Sequence, residues 1–284
     1  MSAPVTTSGG LVPPDVAPPP AGAAARRIRL PFASALWALV GALLFGLAWY
    51  YASTGSELPG PKAGLEALKT LLSDPLYDKG PNDKGIGLRL FISLKSVFSG
   101  FALAALVGIP LGLLIGTNKA AWQAVNPLVQ VLRPVSPLAW YPIWLTVLTN
   151  TQQSVIVVIF ITALWPTVLN TAAGAADIPR DQKNVALVFK FSKLTYVRHV
   201  LIPNALPSVV SGLRLSMGVA WMVLVAVEML SGNAGIGGYV WDQYNSSNLA
   251  NSEAAILLIG VTGLVLDAVL MRLAKMAAIQ EVQT

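Results

Sequence analysis

The chain has 284 residues, of which 55% are hydrophobic and only 11% charged, with a formal net charge of +6 and a mean hydropathy of +0.64. Soluble domains usually carry about twice that charged fraction, so the composition indicates a polytopic membrane protein, and the long apolar runs below make its expected fold class all-α. With no cysteine and with His199 as the only histidine, disulfides, thiolate or histidine metal clusters, thiol nucleophiles and Ser-His-Asp triads are excluded. No GxxxxGK[ST] phosphate loop occurs either, so no catalytic, cofactor-binding or metal-binding residue is expected in this chain.

The first 25 residues are rich in Pro, Ala, Gly, Ser and Thr and bury too little apolar surface to order themselves. They lack the basic start and short apolar core of a cleavable signal, so 1–31 is expected as a disordered cytoplasmic tail. A membrane span needs about 20 apolar residues. Stretches 32–53, 88–116, 122–148, 152–174, 204–230 and 252–274 meet or nearly meet that need, which predicts about six transmembrane helices. The third is interrupted by Pro134, Pro137 and Pro142, and backbone broken at membrane depth is tolerated where it faces protein or a water-filled cavity. That interruption marks either a pathway or an ordinary proline kink. The organisation that follows is a first helix with an outer connector (32–87, carrying one short helix at 62–73), a core (88–276) containing a polar connector at 175–203, and a tail at 277–284.

Lysine and arginine placement gives the orientation. With the N-terminus inside, Arg26, Arg27, Arg29, Lys119, Arg180, Lys183, Lys190, Lys193, Arg198, Arg272 and Lys275 all fall on the cytoplasmic side, while 149–151 and 231–251 carry no positive charge. The chain is read as N-in and C-in. Its positive charge is then topological bias and calls for no nucleic acid.

Ionisable groups inside spans are costly and by default indicate function. Arg133 and Arg214 both lie about 15 Å from their span boundaries, near the midplane, and Lys95 reaches a similar depth. Arg214, Gly218, Trp221, Val225 and Glu228 form one helical stripe, expected to face protein or a pore; Arg133 shares an approximate stripe with Trp140 and Trp144. Two cations near the midplane favour an anionic passenger along a path formed by Arg133, Arg214, Trp140, Trp221, Glu228 and Lys95. The alternative is that either arginine pairs with Glu228 or Asp267 and only locks helices together. Gly235, Gly237 and Gly238 permit tight turns and close backbone approach; they are expected at an outer gate or at the contact with an external partner.

Between the fourth and fifth spans, Pro179 and Asp181 suit a helix start. Val185, Val188, Phe189, Leu194 and Val197 then give partial helical periodicity, with Lys190, Lys193 and Arg198 at polar positions. A short cytoplasmic helix pair is the structural expectation, and a lever that receives force from a soluble partner is the functional one.

NVALVFKFSKLTYVRHVLIPNALP (184–207) resembles the EAA loop of ABC-transporter permease subunits. Counting back from Pro203, Asn184, Val185 and Ala186 stand where Glu-Ala-Ala is usual, and Lys190 stands at the loop's glycine. LRPVSPLAWYPIW (132–144), RHVLIPNALPSVVSGLRLSMGVAW (198–221) and VAVEML (225–230) are similar to permeases of the nitrate, sulfonate and taurine type. SGNAGIGGYVWDQYN (231–245) resembles the nitrate/nitrite/bicarbonate branch. Asn184 and Lys190 depart from the generic loop, and the NVA at 184–186 is similar to the nitrate-type branch.

The resemblance covers about 88–274 and implies the type I importer permease fold in a bacterial inner membrane. It also implies a likeness to nitrate or nitrite importers, with bicarbonate and organic sulfonate or taurine as alternatives. Partners implied are a second permease copy, two ATPase subunits that bind ATP and Mg, and a solute-binding protein outside. Asn184, Val185, Ala186, Val188, Phe189, Lys190, Phe191, Ser192 and Lys193 would sit against the ATPase. A transporter working alone is the contrasting class; its usual matching pair of interrupted spans has no second copy here.

Overall fold

The structure, a computed structural model, describes residues 31–80 and 83–282; the tail expected at 1–31 lies almost wholly outside them. The described residues are nearly all helical and contain five helices long and apolar enough to cross a membrane. The first, α1 (Pro31–Ser53), has no interior charge and carries Phe45, Trp49, Tyr50 and Tyr51 toward its C-terminal end, the aromatic placement typical of a membrane–water boundary. It forms a unit by itself that ends at Tyr51.

The second unit begins at Ala52. The short connector helix expected at 62–73 is present as α2 (Pro61–Ser73), with Pro61 at its first position, where a missing N–H costs nothing. Next comes α3 (Ile86–Thr117). Its small residues Gly100, Ala104, Gly108, Gly112 and Gly116 recur every fourth position on one face. That face lies against α6 (Thr151–Ala176): a Cβ at Gly108 would meet Thr167 at 3.0 Å, and one at Gly112 would meet Thr171 at 2.6 Å. Small residues repeated in this way let helix backbones approach closely where lipid gives no hydrophobic drive. The pairings advance in step along both helices, so α3 and α6 run parallel.

The expected third span is corrected. It is two helices, α4 (Lys119–Leu132) and α5 (Pro137–Leu148), separated by a turn. Pro137 pushes the preceding residue away from helical geometry, and Ser136 accordingly has ψ of 127°, whereas Arg133, before Pro134, keeps helical angles as the last residue of the α4 ladder. Asn118 caps α4 through its side-chain oxygen, which accepts from the Ala120 and Ala121 N–H groups. Asn150 caps α6 in the same way through the Gln153 N–H.

The connector is helical, as expected: α7 (Arg180–Val188) starts after Pro179 with Asp181 in its first turn, and α8 (Lys193–Tyr196) is capped by Ser192. The expected boundary at 204 is corrected, because α8 runs through a π-helical turn (Val197–Leu201) directly into α9 (Ile202–Ser231). Together they make one rod, Lys193–Ser231. Pro203 has no N–H to offer the preceding turn, and the ladder shifts there so that the Ile202 N–H donates to the Val197 carbonyl.

After α9 come α10 (Ile236–Asn245) and α11 (Leu249–Val282). The helix continues through 277–282, where a tail was expected. α6 is the central helix, packed on α3 and α9. Its Thr167 hydroxyl lies 2.7 Å from that of Ser216, which in turn donates to the Ala163 carbonyl.

Candidate functional site: an arginine-bearing cavity, an outer latch and a cytoplasmic loop

A cavity of 610 Å³ opens between the α4–α5 turn, α6 and α9. The broken third span shapes it, contributing Leu132 and Arg133 from before the turn and Pro137 and Trp140 from after it. α6 contributes Thr162, Trp165 and Asn170, and α9 contributes Leu215 and Val219. Arg133 is exposed to this space, and no acidic residue lines it. The Thr162 hydroxyl donates to the Val158 carbonyl and the Asn170 amide to the Pro166 carbonyl, so the Asn170 side-chain oxygen is the end not used as that donor. Thr162, Trp165 and Asn170 went unnoticed in the sequence, where polar and aromatic residues within the apolar run 152–174 were the available signal.

Of the six residues expected along one path, the cavity brings together only Arg133 and Trp140. Arg214 is engaged elsewhere: its Nε and Nη2 donate to the two carboxylate oxygens of Asp267 on α11 at 2.6 and 2.8 Å. This is the helix-locking alternative, in bidentate form. Trp221 is buried and donates its Nε1 to the Ile259 carbonyl. Lys95 is exposed on α3 and does not line the cavity. The α9 stripe therefore divides, with Arg214 and Gly218 exposed and Trp221 and Glu228 buried. An α-helical stripe at seven-residue spacing drifts by about 20° per heptad, and by Glu228 that drift has carried it under α10.

Glu228 is fully buried. The Ser93 hydroxyl on α3 lies 2.8 Å from both carboxylate oxygens, and the Gly237 N–H donates to one of them at 3.0 Å. The Ile236 N–H donates to Ser93 Oγ at 2.9 Å. One carboxylate thus fastens the first turn of α10 across the ends of α3 and α9. Beside it Gln152 on α6 donates to Ser96 and accepts from Asn233, and Arg89 pairs with Asp242 at 3.4 Å.

The glycines follow from this latch. Gly235, Gly237 and Gly238 are buried, and none has positive φ. A Cβ on Gly235 would collide with the Glu228 carboxylate, and one on Gly237 with the Val225 carbonyl. They permit close approach inside the subunit, and their burial removes them from the surface that an external partner would touch.

At the opposite end, the connector exposes Val185, Leu187, Val188, Phe189, Phe191 and Leu194, with Val188 77% and Phe189 71% accessible. Asn184, Lys190 and Lys193 are exposed among them. Of the expected contact residues one is withdrawn from the surface, Ala186, while Ser192 stays exposed as a helix cap. Ala186 is buried with Ala175, Ile178, Val200 and Leu201, and Ser192 spends its oxygen on the Thr195 N–H. Lys190 has φ of 49°, the left-handed conformation that glycine adopts most readily. Asn204 on α9 donates to Gln182 on α7 at 2.6 Å, tying the loop to the base of the rod.

A family model described as "Binding-protein-dependent transport system inner membrane component" matches residues 108–278. The chain is 47% identical over 213 residues to the nitrate import permease protein of Synechocystis sp., covering 75% of this chain and 78% of that one. It is 41% identical over 234 residues to the bicarbonate transport system permease protein of Synechococcus elongatus, covering 81% and 84%. Among solved structures, a methionine ABC transporter in inward-facing conformations aligns with a TM-score of 0.58 at 18% identity, covering 66% of this chain and 93% of that one. A bacterial ABC transporter involved in the import of the acidic polysaccharide alginate aligns with a TM-score of 0.53 at 15% identity, covering 84% and 95%. At those identities the structural likeness shows the fold, which is that of the ABC importer permeases.

Proposed function

The chain belongs to the binding-protein-dependent transport system inner membrane components, and we propose that it is the permease subunit of an ATP-driven importer for a small planar oxyanion, nitrate or nitrite first. The observation that carries this reading is Arg133, a cation on a cavity without an acidic residue, while Arg214 is neutralised by Asp267. A guanidinium is planar and always charged, and its fork of donors suits two oxygens of a planar anion. Trp140 and Trp165 supply apolar walls that strengthen the attraction by excluding water. The nitrate import relative supports the choice of anion.

In this reading two copies of the chain form the path, and a solute-binding protein delivers the anion from outside. Two ATPase subunits bind ATP and Mg and hydrolyse the nucleotide, so the permease has no catalytic role. The exposed apolar residues of α7 and its following turn, Val185, Val188 and Phe189 above all, seat in the ATPase. Closure of the ATPases then exchanges inward- and outward-facing states.

The test is uptake into proteoliposomes containing the whole transporter. Arg133→Ala abolishes ATP-driven nitrate uptake while assembly and basal ATP hydrolysis persist, and Arg133→Lys retains part of it. Normal uptake by Arg133→Ala overturns the assignment. Bicarbonate is the second reading, favoured by the 41% identity to a bicarbonate permease; measuring both anions in the same vesicles separates the two.

A further inference from the structure

The outer connector takes no part in the proposed transport path, and its helix α2 is built unlike a solvated linker. On a helical wheel, Gly64, Ala67, Leu68 and Leu71 share one side. Gly64 is buried and Leu71 packs on the core, and the helix as a whole lies against α11. Leu65 and Leu72 lie seven residues apart on the adjoining strip and are 56% and 51% accessible. The apolar arc is therefore only half covered by protein. Along the far border of the uncovered half stand Lys62 and Lys69, followed by Glu66, which lies 4.0 Å from Lys62 in an exposed pair.

The ends of α2 fix its depth. At its start, Gly60 sits beside Ser53, where a Cβ would meet the serine Oγ at 3.1 Å. Past its end, the Pro75 carbonyl accepts the Gly87 N–H at 2.8 Å and the Tyr77 carbonyl accepts the Gly85 N–H at 2.7 Å, which binds the connector to the first turn of the spanning helix α3. The connector is thus held at the level where α3 begins, on the side opposite α7. At about 1.5 Å per residue the helix lies about 20 Å along that level. An apolar strip edged by lysines at a span boundary matches the layering of a lipid leaflet, with acyl chains below and phosphates beside the ammonium groups.

We infer that α2 is a membrane-surface helix, with Leu65 and Leu72 immersed in the outer leaflet and Lys62 and Lys69 at its phosphates. The absence of native cysteine makes a direct test simple. Single-cysteine variants at Leu65, Leu72, Lys62, Glu66 and Lys69 of the full chain are spin-labelled in vesicles of phosphatidylethanolamine and phosphatidylglycerol. Collision rates with oxygen, which partitions into lipid, and with a water-soluble nickel chelate are then compared. The expected result is oxygen in excess at Leu65 and Leu72 and the nickel chelate in excess at Lys62, Glu66 and Lys69. Nickel excess at all five sites makes α2 a solvated connector and overturns the inference. Low collision with both reagents at Leu65 and Leu72 also overturns it, because protein, either a second copy or an external partner, then covers the strip. Variants at the exposed Leu58 and Leu76 repeat the measurement beyond the helix, so a misfolded single variant does not decide the outcome.

Discussion

Glu228→Ala tests whether one carboxylate holds the outer end of the subunit together. The side chain is fully buried and accepts from the Ser93 hydroxyl and the Gly237 N–H. Truncation strands the Gly237 donor in a dry environment, which costs about 1–3 kcal/mol. It also leaves a void in the contact of α3, α9 and α10; large-to-small changes at buried sites cost about 2–5 kcal/mol with partial collapse. Because relaxation of α10 relieves both terms together, the combined loss is on the order of 3–5 kcal/mol. At about 2–4 °C per kcal/mol for a chain of this size, Tm falls by on the order of 10 °C. Glu228→Gln keeps the volume: its amide oxygen accepts from Gly237 and its NH2 donates to Ser93 Oγ, so the loss is about 1 kcal/mol. The assay is thermal unfolding of the purified protein in detergent, with the double variant Ser93→Ala/Glu228→Gln closing a cycle. Equal Tm for Glu228→Ala and wild type, or additive Ser93 and Glu228 effects, refutes the latch.

Gly112→Ala places a Cβ 2.6 Å from that of Thr171 and 2.8 Å from the Val168 carbonyl, so the α3–α6 pair must separate. Folded yield measured by size exclusion drops sharply, while Gly218→Ala, which meets nothing within 4 Å, leaves yield unchanged. Lys190→Gly removes a left-handed non-glycine residue and raises stability by about 1 kcal/mol, read as a higher Tm. Lys190→Val lowers it. In the outer connector, the Lys84 ammonium and then the Gly80 N–H hold the Asp78 carboxyl below its ordinary range. A depressed pKa makes the Asp78–Lys84 clasp a source of stability above the unfolded value, lost as pH falls through the folded one; carbon-13 NMR of labelled Asp78 shows the midpoint below that of an unfolded peptide, and Lys84→Ala raises it toward that value while the Gly80 N–H keeps part of the shift.

The spans were legible because a bilayer imposes length and apolarity without compromise. Where the reading went astray, the missing fact was tertiary. Arg214 sits in an apolar run with no carboxylate near it in the chain; Asp267, 53 residues on, becomes its partner only when α9 and α11 pack. The glycines at 235, 237 and 238 signal turns and close approaches alike in a sequence, and only the position of Glu228 separates the two. The prolines at 134, 137 and 142 announced an interruption, yet each half of that region is too short to show its own period, so two helices read as one span. The left-handed backbone at Lys190 had no local signal, since lysine has no preference for it. It became legible only through the resemblance to the EAA loop, whose glycine position Lys190 occupies.

The rod Lys193–Ser231 joins the two ends of the proposed mechanism. At about 1.5 Å per residue its 39 residues extend about 58 Å, close to twice the about 30 Å hydrocarbon core, so it projects from the bilayer toward α7. In the proposed mechanism the load from α7 would enter at the π turn, because Val200 and Leu201, with Tyr196 and Val197 against them, pack in the cluster that holds the buried Ala186, and Asn204 reinforces the joint through Gln182. At the far end the rod is fastened to α10 and α3 through Glu228. Leu215 and Val219, which line the cavity together with Arg133, lie between these two attachments. A rod held at both ends cannot bend freely near its middle, so in the proposed mechanism a displacement of α7 would move the cavity wall and the outer latch together. The one place where the backbone ladder already departs from α-geometry is Val197–Leu201. That turn is where angular change is absorbed at least cost, leaving the segment beyond Pro203 to move as a rigid wall.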